Sequence, residues 1–441
     1  MKRLFISLVV IAFNLVTLTI SCSGTTTAKP EPAAPSLNFN WPESSPSFPV
    51  KELITPSLTL LSPEATTQAT PTTQPQSPPK TAGNYYLIGD YSVLVLHGSY
   101  YEMGSQYGTA LKSSLNELYP AVVNDYLIKT HNLTMKDIES WVNPRYMLYP
   151  DNIKQLLKGM SDATGIEIKK LIILSDLTDL ARITSNTSGC SGIAVFGEYT
   201  SGGPLIFGRN FDWWGHYKNY NSYLTITVLN PDDGSNSIAS IGWAGELLLQ
   251  TGLNSAGIFL ESNDGEISGG SKFLDDVAHP SMQSYSWLAN ASTLETVREA
   301  IKSSQRARAM IIGIADGNSA AAFECSLNEI KPRACDKNGL LVVTNHFTNP
   351  SWTNIKPPKD ELQTETRYSN LINLAGKYKG SFNVNAMMQV LDTPTEKGGA
   401  TQPNTIYQVI AVPAELKIWI KAPDYSDWAE IDLKPFMTNA K

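Results

Sequence analysis

The sequence predicts a layered α+β body that follows a long polar N-terminal region. Amphipathic helical stripes occupy the chain before residue 190, and short strand patterns separated by turns dominate after it. Helices and antiparallel strands that come in blocks are typical of an α+β fold. The body, roughly residues 84–441, is long enough for one large domain.

Three helical patterns precede residue 190. Apolar residues recur every three or four positions over 103–126, a second stripe covers 151–163 and closes at Gly165, and a third covers 168–180. We interpret these stripes as core packing rather than as cofactor contacts.

The remaining predicted elements are mostly strands. We expect strands at 193–196, 205–207, 223–229, 238–243, 246–250, 257–261, 309–315, 320–325, 340–344, 406–412 and 416–420. We expect helices over 282–304, with Ser292 as an N-cap, and over 383–391.

The N-terminus has the pattern of an export signal. Two basic residues precede an apolar run that ends in Thr19-Ile20-Ser21-Cys22, which resembles a bacterial lipobox although Thr19 replaces the usual leucine. We predict a lipoprotein signal peptide over 1–22, lipidation of Cys22, and an extracytoplasmic protein anchored to the membrane by lipid. A cleaved signal peptide or a retained anchor are the alternatives, although the run is short for a span and Asn14 interrupts it.

A stretch rich in Pro, Ser, Thr and Ala follows at residues 23–83. It has too little apolar surface to offset its ordering entropy, so we expect a disordered stalk. The net charge is −7, and its signs are interspersed without a basic stripe or a zinc-like spacing. This pattern argues against nucleic acid as a partner, and no metal or diffusible cofactor is implied.

The body contains three cysteines. Cys325 and Cys335 flank a turn, and outside the cytoplasm they could form a cross-strand disulfide; two free thiols are the alternative. Cys190 is then left without a partner, and an unpaired cysteine in an exported protein calls for a chemical explanation.

Cys190 lies just ahead of the first predicted hairpin. The far strand of a hairpin folds back on its start, so Arg209 and Asp212 can lie beside Cys190. A cysteine nucleophile also needs a base. His216 or His346 could supply it, or the α-amine of Cys190 itself could, with a reference pKa of about 7.7–8.0, if the chain were cut before this residue.

Several segments resemble the penicillin (isopenicillin-N) acyltransferase family of N-terminal nucleophile hydrolases, related to choloylglycine hydrolase, penicillin V acylase and acid ceramidase. The resemblance covers about residues 87–420. Besides the segment around Cys190, the matching motifs are His97-Gly98-Ser99-Tyr100-Tyr101-Glu102-Met103-Gly104 through Gly108, Leu157-Lys158-Gly159-Met160 through Gly165, Gly252-Leu253-Asn254-Ser255-Ala256-Gly257 with Asn263, Thr344-Asn345-His346-Phe347, and Thr366-Arg367-Tyr368.

The resemblance implies a four-layer αββα sandwich and a precursor that cuts itself between Gly189 and Cys190. The products would be a helical α chain over 84–189 and a catalytic β chain over 190–441, which stay associated. The β chain would cleave a linear, non-peptide amide of a small molecule, or transfer its acyl group, through a thioester on Cys190.

The resemblance also assigns roles to the other site residues. Arg209 would support the thiolate and Asp212 would hold the new α-amine. Asn263 and Asn345 would stabilise the oxyanion, with Glu261 as the local rival of Asn263, and Arg367 would anchor the network from a later strand.

Trp213 and Trp214 follow Asp212 directly, and they could line an acyl pocket or belong to the core. Two other functions stay open at this point. One is a non-catalytic surface-binding lipoprotein on the same fold, and the other is a Cys–His hydrolase without self-cleavage.

Overall fold

The computed structural model describes residues 85–184, 189–353, 355 and 359–438. All of them belong to one of the two compact units of the chain, Thr73–Lys441. The predicted signal peptide, Cys22 and the predicted stalk lie outside the described residues. Across the described ranges, no helix is both long enough and apolar enough to cross a membrane.

Strands and helices alternate in blocks along the described chain. The strands are β1 (Tyr85–Ile88), β2 (Tyr91–Gly98), β3 (Ser191–Val195), β4 (Ile206–Asp212), β5 (Leu224–Pro231), β6 (Ile238–Trp243), β7 (Thr251–Asn254), β8 (Phe259–Asp264), β9 (Met310–Ala315), β10 (Ala320–Cys325), β11 (Ile330–Ala334), β12 (Leu340–Val343), β13 (Thr405–Val412), β14 (Lys417–Ala422) and β15 (Ser426–Asp432). The α-helices are α1 (Tyr100–Tyr119), α2 (Met135–Met147), α3 (Asp151–Thr164), α4 (Ile168–Ser175), α5 (Leu177–Leu180), α6 (Glu266–Gly269), α7 (Pro280–Asn290), α8 (Leu294–Ser303), α9 (Thr364–Tyr378) and α10 (Val384–Asp392). A π-helix continues α1 over Pro120–Thr130, and the 3₁₀ turns are Ala181–Ile183, Gly215–Tyr223, Glu361–Gln363, Thr395–Lys397, Pro413–Glu415 and Lys434–Phe436.

The strands form two sheets. The nine-stranded sheet has the order β1-β2-β5-β6-β7-β8-β9-β10-β11, and the six-stranded sheet has the order β12-β3-β4-β13-β14-β15. Every named pair is antiparallel except β2 with β5. The inner faces meet in the core, where the ring centroids of Phe207 on β4 and Phe259 on β8 are 4.9 Å apart.

Helices cover both outer faces. The buried stripe of α1 packs with α3 into the core cluster that includes β2 and β5. On the other side, Leu371 of α9 and Met387 of α10 join Ile193 and Ile410 of the six-stranded sheet in a second apolar cluster. The layers therefore run helix, sheet, sheet, helix, which confirms the predicted αββα sandwich.

Glycines let α1 and α3 touch backbone to backbone. A Cβ added at Gly104 would lie 2.0 Å from the Leu156 carbonyl oxygen, and one added at Gly159 would lie 2.1 Å from that of Tyr101. No side chain fits such distances, so these motif positions require glycine for helix packing.

The two ends of this helix pair follow ordinary capping rules. α1 begins at a capping box in which the Ser99 hydroxyl accepts from the Glu102 N–H and the Glu102 carboxylate accepts from the Ser99 N–H. α3 ends at Gly165, which has a φ of 72° that glycine adopts without strain. Farther along, α8 is capped by Thr293 rather than by the predicted Ser292.

Several elements differ from the sequence prediction. β1 and β2 lie in the segment predicted as helical, and α2, β11, α9 and β15 were not predicted. Residues 246–250 are not a strand, because the Glu246 carboxylate accepts from the backbone N–H groups of Thr178 and Trp243 and so fixes a turn; the strand begins at Thr251.

The predicted Cys325–Cys335 disulfide is wrong in this structure. The β10–β11 register pairs Cys325 with Ile330, whereas Ala334, the neighbour of Cys335, pairs with Ala321. The two cysteines therefore sit toward opposite ends of the hairpin, since each strand residue advances about 3.4 Å, and a disulfide needs Cα atoms within about 7 Å. Both thiols are free.

Candidate active site

Cys190 is buried immediately before β3. The β3–β4 register pairs Gly192 with Arg209, so the hairpin brings the far strand back beside the cysteine. The Cys190 thiol donates to the Asp212 carbonyl oxygen over 3.7 Å, and Arg209 Nη2 lies 3.8 Å from Sγ. The structure thus assembles the trio that the sequence predicted to lie together.

Arg209 is held rigidly between the two sheets. Its guanidinium donates to Thr251 Oγ1 over 2.6 Å, to the Ser262 carbonyl over 2.7 Å, and to the Gln250 carbonyl. Its Nε lies 3.4 Å from Glu261 Oε2. Nη2, which donates to Ser262, also faces Sγ. These contacts hold the positive charge of Arg209 in a fixed place beside the sulfur.

Arg367 lies on helix α9, not on a strand as predicted. The Asp360 carboxylate accepts from the backbone N–H groups of Glu365 and Thr366, which satisfies the first turn and favours a helix here. The buried guanidinium donates to the Cys190 carbonyl over 2.7 Å and to Asn345 Oδ1 over 2.7 Å. Arg367 therefore fixes both the backbone of Cys190 and the side chain of Asn345.

Asn345 follows β12 and is fully buried. Its backbone N–H donates to Thr364 Oγ1 over 2.8 Å, and its Nδ2 donates to the Asp264 carbonyl over 2.9 Å. A side-chain amide carries two N–H hydrogens, so a second donor remains for another acceptor. A buried, fixed amide with a spare N–H is what a preorganised oxyanion donor needs.

Asn263 and Glu261 form a pair on one face of β8. Asn263 Nδ2 donates to Glu261 Oε1 over 3.2 Å, whereas its Oδ1 has no hydrogen-bond partner in the described part of the chain. The Glu261 carboxylate lies against Gly192, where an added Cβ would be 2.4 Å from Oε1. The two rival candidates for one role are therefore hydrogen-bonded neighbours.

Burial dominates the electrostatics of the uncut site. Burial raises the pKa of the Cys190 thiol to about 11, against the opposing charge of Arg209. Burial likewise raises the pKa of Asp212 to about 7, although Arg367, at 3.9 Å, and a hydrogen bond from Thr405 lower it. At neutral pH the thiol is protonated in the uncut chain, so attack requires a base.

Neither candidate histidine is hydrogen-bonded to Cys190. Nδ1 of His346 is hydrogen-bonded to the hydroxyl groups of Thr344 and Thr364. Burial lowers the pKa of this imidazole to about 4. His216 is stacked on Tyr126 with ring centroids 4.0 Å apart. These contacts place both imidazoles in other roles and argue against a Cys–His dyad.

The two tryptophans occupy different environments. Trp213 is buried, its ring stacks on Phe211 at 5.7 Å, and the Arg182 guanidinium carbon lies 5.2 Å from its centroid. Trp214 is half-buried and meets Trp213 edge to face at 4.3 Å. Trp213 is thus part of the core wall, and the predicted acyl pocket stays a prediction.

A buried ion cluster beside the site was not predicted from the sequence. Its members are Asp179, Arg182, Asp264, Glu266, His279 and Arg308. They are scattered over a long stretch of the chain, so no local pattern joins them. The one available signal was a pair of aspartates, Asp176 and Asp179, inside the apolar third helical stripe. In the described ranges, no group of three or more His, Cys, Asp or Glu residues is placed to hold a metal ion.

Glu246 lies near this cluster, and burial raises the pKa of its carboxyl from 4.5 to about 8. Below pH 4.5 the carboxyl is protonated in the folded and unfolded states alike, whereas between pH 4.5 and 8 only the folded state keeps the proton. Glu246 therefore lowers the free energy of unfolding progressively across that window, by about 1.4 kcal/mol per unit of pKa difference.

We expect Glu246→Gln to remove this loss. In uncut Cys190→Ala protein, the unfolding free energy of the variant relative to its parent should rise by several kcal/mol from pH 4.5 to 8 in urea titrations. Glu295→Gln, at a solvent-exposed glutamate of α8, is the matched control for removing a carboxylate by the same substitution. A constant difference for Glu246→Gln at every pH would contradict the raised pKa.

No family model matches the chain. Protein dcd1B of Dictyostelium discoideum is 27% identical over 184 residues, which is 36% of this chain and 36% of that protein, so the chain spans about a third of this relative's length. The acyl-coenzyme A:6-aminopenicillanic-acid-acyltransferase 40 kDa form of Emericella nidulans is 22% identical over 282 residues, or 62% of this chain and 74% of that protein.

The similar solved structures are more distant in sequence. An N-acylethanolamine-hydrolyzing acid amidase ortholog of Caenorhabditis elegans has 16% identity and a TM-score of 0.41, covering 54% of this chain and 99% of that one. A mutant conjugated bile acid hydrolase of Clostridium perfringens has 13% identity and a TM-score of 0.40, covering 56% and 93%.

The αββα sandwich, with a buried cysteine at the head of a strand in an inner sheet, is the fold that the resemblance to the N-terminal nucleophile hydrolases predicted. The similarity to the acyltransferase supports the resemblance to the penicillin acyltransferase-like proteins that the motifs predicted.

Proposed function

We propose that the protein is an exported, self-processing cysteine amidohydrolase that cleaves a linear, non-peptide amide, or transfers its acyl group, through a thioester on Cys190. One observation carries this proposal: the Cys190 thiol lies between Arg209 and Asp212 while Arg367 holds the carbonyl of the same residue. A binding protein has no need of this arrangement.

The first step is self-cleavage. The Cys190 thiol gives up its proton as its sulfur attacks the Gly189 carbonyl carbon, the bond from that carbon to the Cys190 nitrogen breaks, and the nitrogen takes up a proton, so the step releases no net proton. Water then hydrolyses the resulting thioester, which leaves a carboxylate on Gly189, a free thiol and a new α-amine on Cys190. Gly189 packs closely, since an added Cβ would lie 3.2 Å from Arg367 Nη2.

Turnover then uses the new amine as the base. With a reference pKa of about 7.7–8.0, the amine accepts the thiol proton, and the thiolate attacks the substrate carbonyl. The amine-derived ammonium protonates the leaving amine, and water or another acceptor resolves the thioester. Asp212 Oδ2, which has no hydrogen-bond partner among the described residues, is the acceptor we assign to the ammonium.

The oxyanion of each tetrahedral intermediate needs donors. We assign the second N–H of Asn345 to it, together with Asn263, whose amide is oriented by Glu261. Arg209 supports the thiolate throughout, because a fixed cation stabilises the charged sulfur.

Hydrolysis is the favoured outcome for an exported enzyme, because water is abundant outside the cell and acyl-coenzyme A is not. The proposed lipid on Cys22 would tether the protein to the membrane through the stalk over 23–83. The two fragments would remain together, because β2, upstream of the cut, pairs along its length with β5, downstream of it.

Mass and N-terminal sequence of the purified protein test the proposal. We expect the parent to yield two fragments, one beginning Cys190-Ser191-Gly192, and Cys190→Ala to remain whole. Cys325→Ala is the matched control, since Cys325 is also a buried free cysteine, and it should cut like the parent. A whole parent chain would exclude the α-amine mechanism and favour a binding protein.

A further inference from the structure

A continuous path of contacts leads from Arg182 back to the nucleophile. Arg182 Nη2 donates to Asp264 Oδ2 over 2.6 Å, and the Asp264 carbonyl accepts from Asn345 Nδ2 over 2.9 Å. Asn345 Oδ1 in turn accepts from Arg367, which donates to the Cys190 carbonyl. The path starts upstream of the proposed cut and ends on the first residue after it.

Arg182 is the only cation of this path that joins three carboxylates among the described residues. Besides Asp264, its guanidinium lies 3.3 Å from Glu266 Oε1 and 3.3 Å from Asp179 Oδ1. The side chain is 5% exposed and packs over the Trp213 ring. Without Arg182, Asp179 would keep its contact with the His279 ring at 2.7 Å, whereas Asp264 and Glu266 would keep only the longer contacts, at 3.6 Å, of the second arginine of the cluster, Arg308. Those two carboxylates would then repel each other more strongly.

Asp264 and Glu266 bracket the end of β8, where the strand gives way to α6. Repulsion between their side chains would shift this end, and with it the Asp264 carbonyl. That carbonyl is the acceptor that orients Asn345, so a displacement at β8 reaches the oxyanion donor directly.

We propose that Arg182 is a positioning residue: by neutralising Asp264 and Glu266 it fixes the Asp264 carbonyl, and through it the Asn345 amide that serves self-cleavage and turnover. This inference rests on the proposed function. It also assigns to the upstream fragment a part in the active site of the downstream fragment, beyond its share of the sheet.

The self-cleavage rate of the full chain is the test, because it needs no external substrate. Pulse-labelled chain made by cell-free synthesis allows the cut fraction to be followed from the start. We expect Arg182→Met to slow the first-order cut at least tenfold and Arg182→Lys to restore part of the rate, since lysine keeps the charge but cannot contact three carboxylates at once.

Two further variants separate positioning from stability. Asp264→Asn keeps the backbone carbonyl and removes the charge of the side chain. The double variant Arg182→Met/Asp264→Asn should cut no more slowly than the slower of the two single variants, because both substitutions act through one contact. Arg298→Met removes a solvent-exposed ion pair with Glu295 and should cut at the parent rate. Circular dichroism at the assay temperature confirms that each compared chain is folded, and if Arg182→Met does not fold, Arg182→Lys and Asp264→Asn carry the test.

The outcomes distinguish this inference from the proposed function. A parent that cuts itself, with folded Arg182 variants that cut equally fast, would overturn the positioning role alone. Additive losses in the double variant would also overturn it. A parent that never cuts would overturn the proposed function and this inference together.

Discussion

Arg367→Met is expected to slow self-cleavage by a factor of about 10²–10³, because Asn345, the assigned oxyanion donor, loses the contact that orients it and one such donor is worth about that much. The variant loses the charge-assisted hydrogen bonds to the Cys190 carbonyl and to Asn345 Oδ1. It also removes the cation that lowers the pKa of Asp212, so that carboxyl becomes neutral over a wider pH range. The time course of cutting, followed by gel and mass spectrometry, measures the effect.

Arg306→Met is the matched control for this prediction. Arg306 also donates to backbone carbonyls, those of Ser304, Ser326 and Leu327, but it makes no contact with the nucleophile. It should lower stability modestly and leave the rate of cutting near that of the parent. Equal rates for folded Arg367→Met and the parent would remove Arg367 from the proposed site.

Asn345→Ala is the second substitution with a large expected effect. We expect kcat per cut molecule to fall by about 10²–10³ with little change in KM, because an oxyanion donor acts on the transition state more than on the bound substrate. The self-cleavage rate should fall by a similar factor. Both are measured on protein whose folding has been checked by thermal denaturation.

Asn370→Ala provides the comparison for Asn345. Asn370 lies on α9, and its Nδ2 also donates to a backbone carbonyl, that of Gly399. None of the residues placed in the proposed site takes part in this bond. Its loss should not alter kcat. A rise in KM with unchanged kcat for Asn345→Ala would assign Asn345 to substrate binding instead.

The core of the site was accessible from the sequence because it rests on local geometry. The two strands of a hairpin pair antiparallel, so the spacing along the chain is enough to place Arg209 and Asp212 beside Cys190. The helix stripes over α1 and α3 and most strands were equally local, since they depend on periodicity and turn residues.

The rest depended on contacts between distant segments. Asn345 and Arg367 were named only through the family resemblance, and the resemblance did not show that Arg367 lies on a helix. The disulfide prediction failed because a turn between two cysteines does not fix strand register. Arg182 was missed altogether, since nothing in its neighbourhood indicates that two of its three partners, Asp264 and Glu266, lie far downstream.

The parallel pairing of β2 with β5 affects whether the protein can refold after the proposed cut. β2 is an interior strand of the nine-stranded sheet, and it belongs to the part of the chain before the proposed cut. Before cutting, the sheet forms within one covalent chain at a rate independent of protein concentration. Afterwards, the same sheet can be rebuilt only by the meeting of two molecules, so recovery from denaturation becomes dependent on dilution. The proposed cut would thus turn a single chain that can refold into a complex of two fragments. The stability of that complex would be kinetic, because it would depend on slow unfolding rather than on refolding.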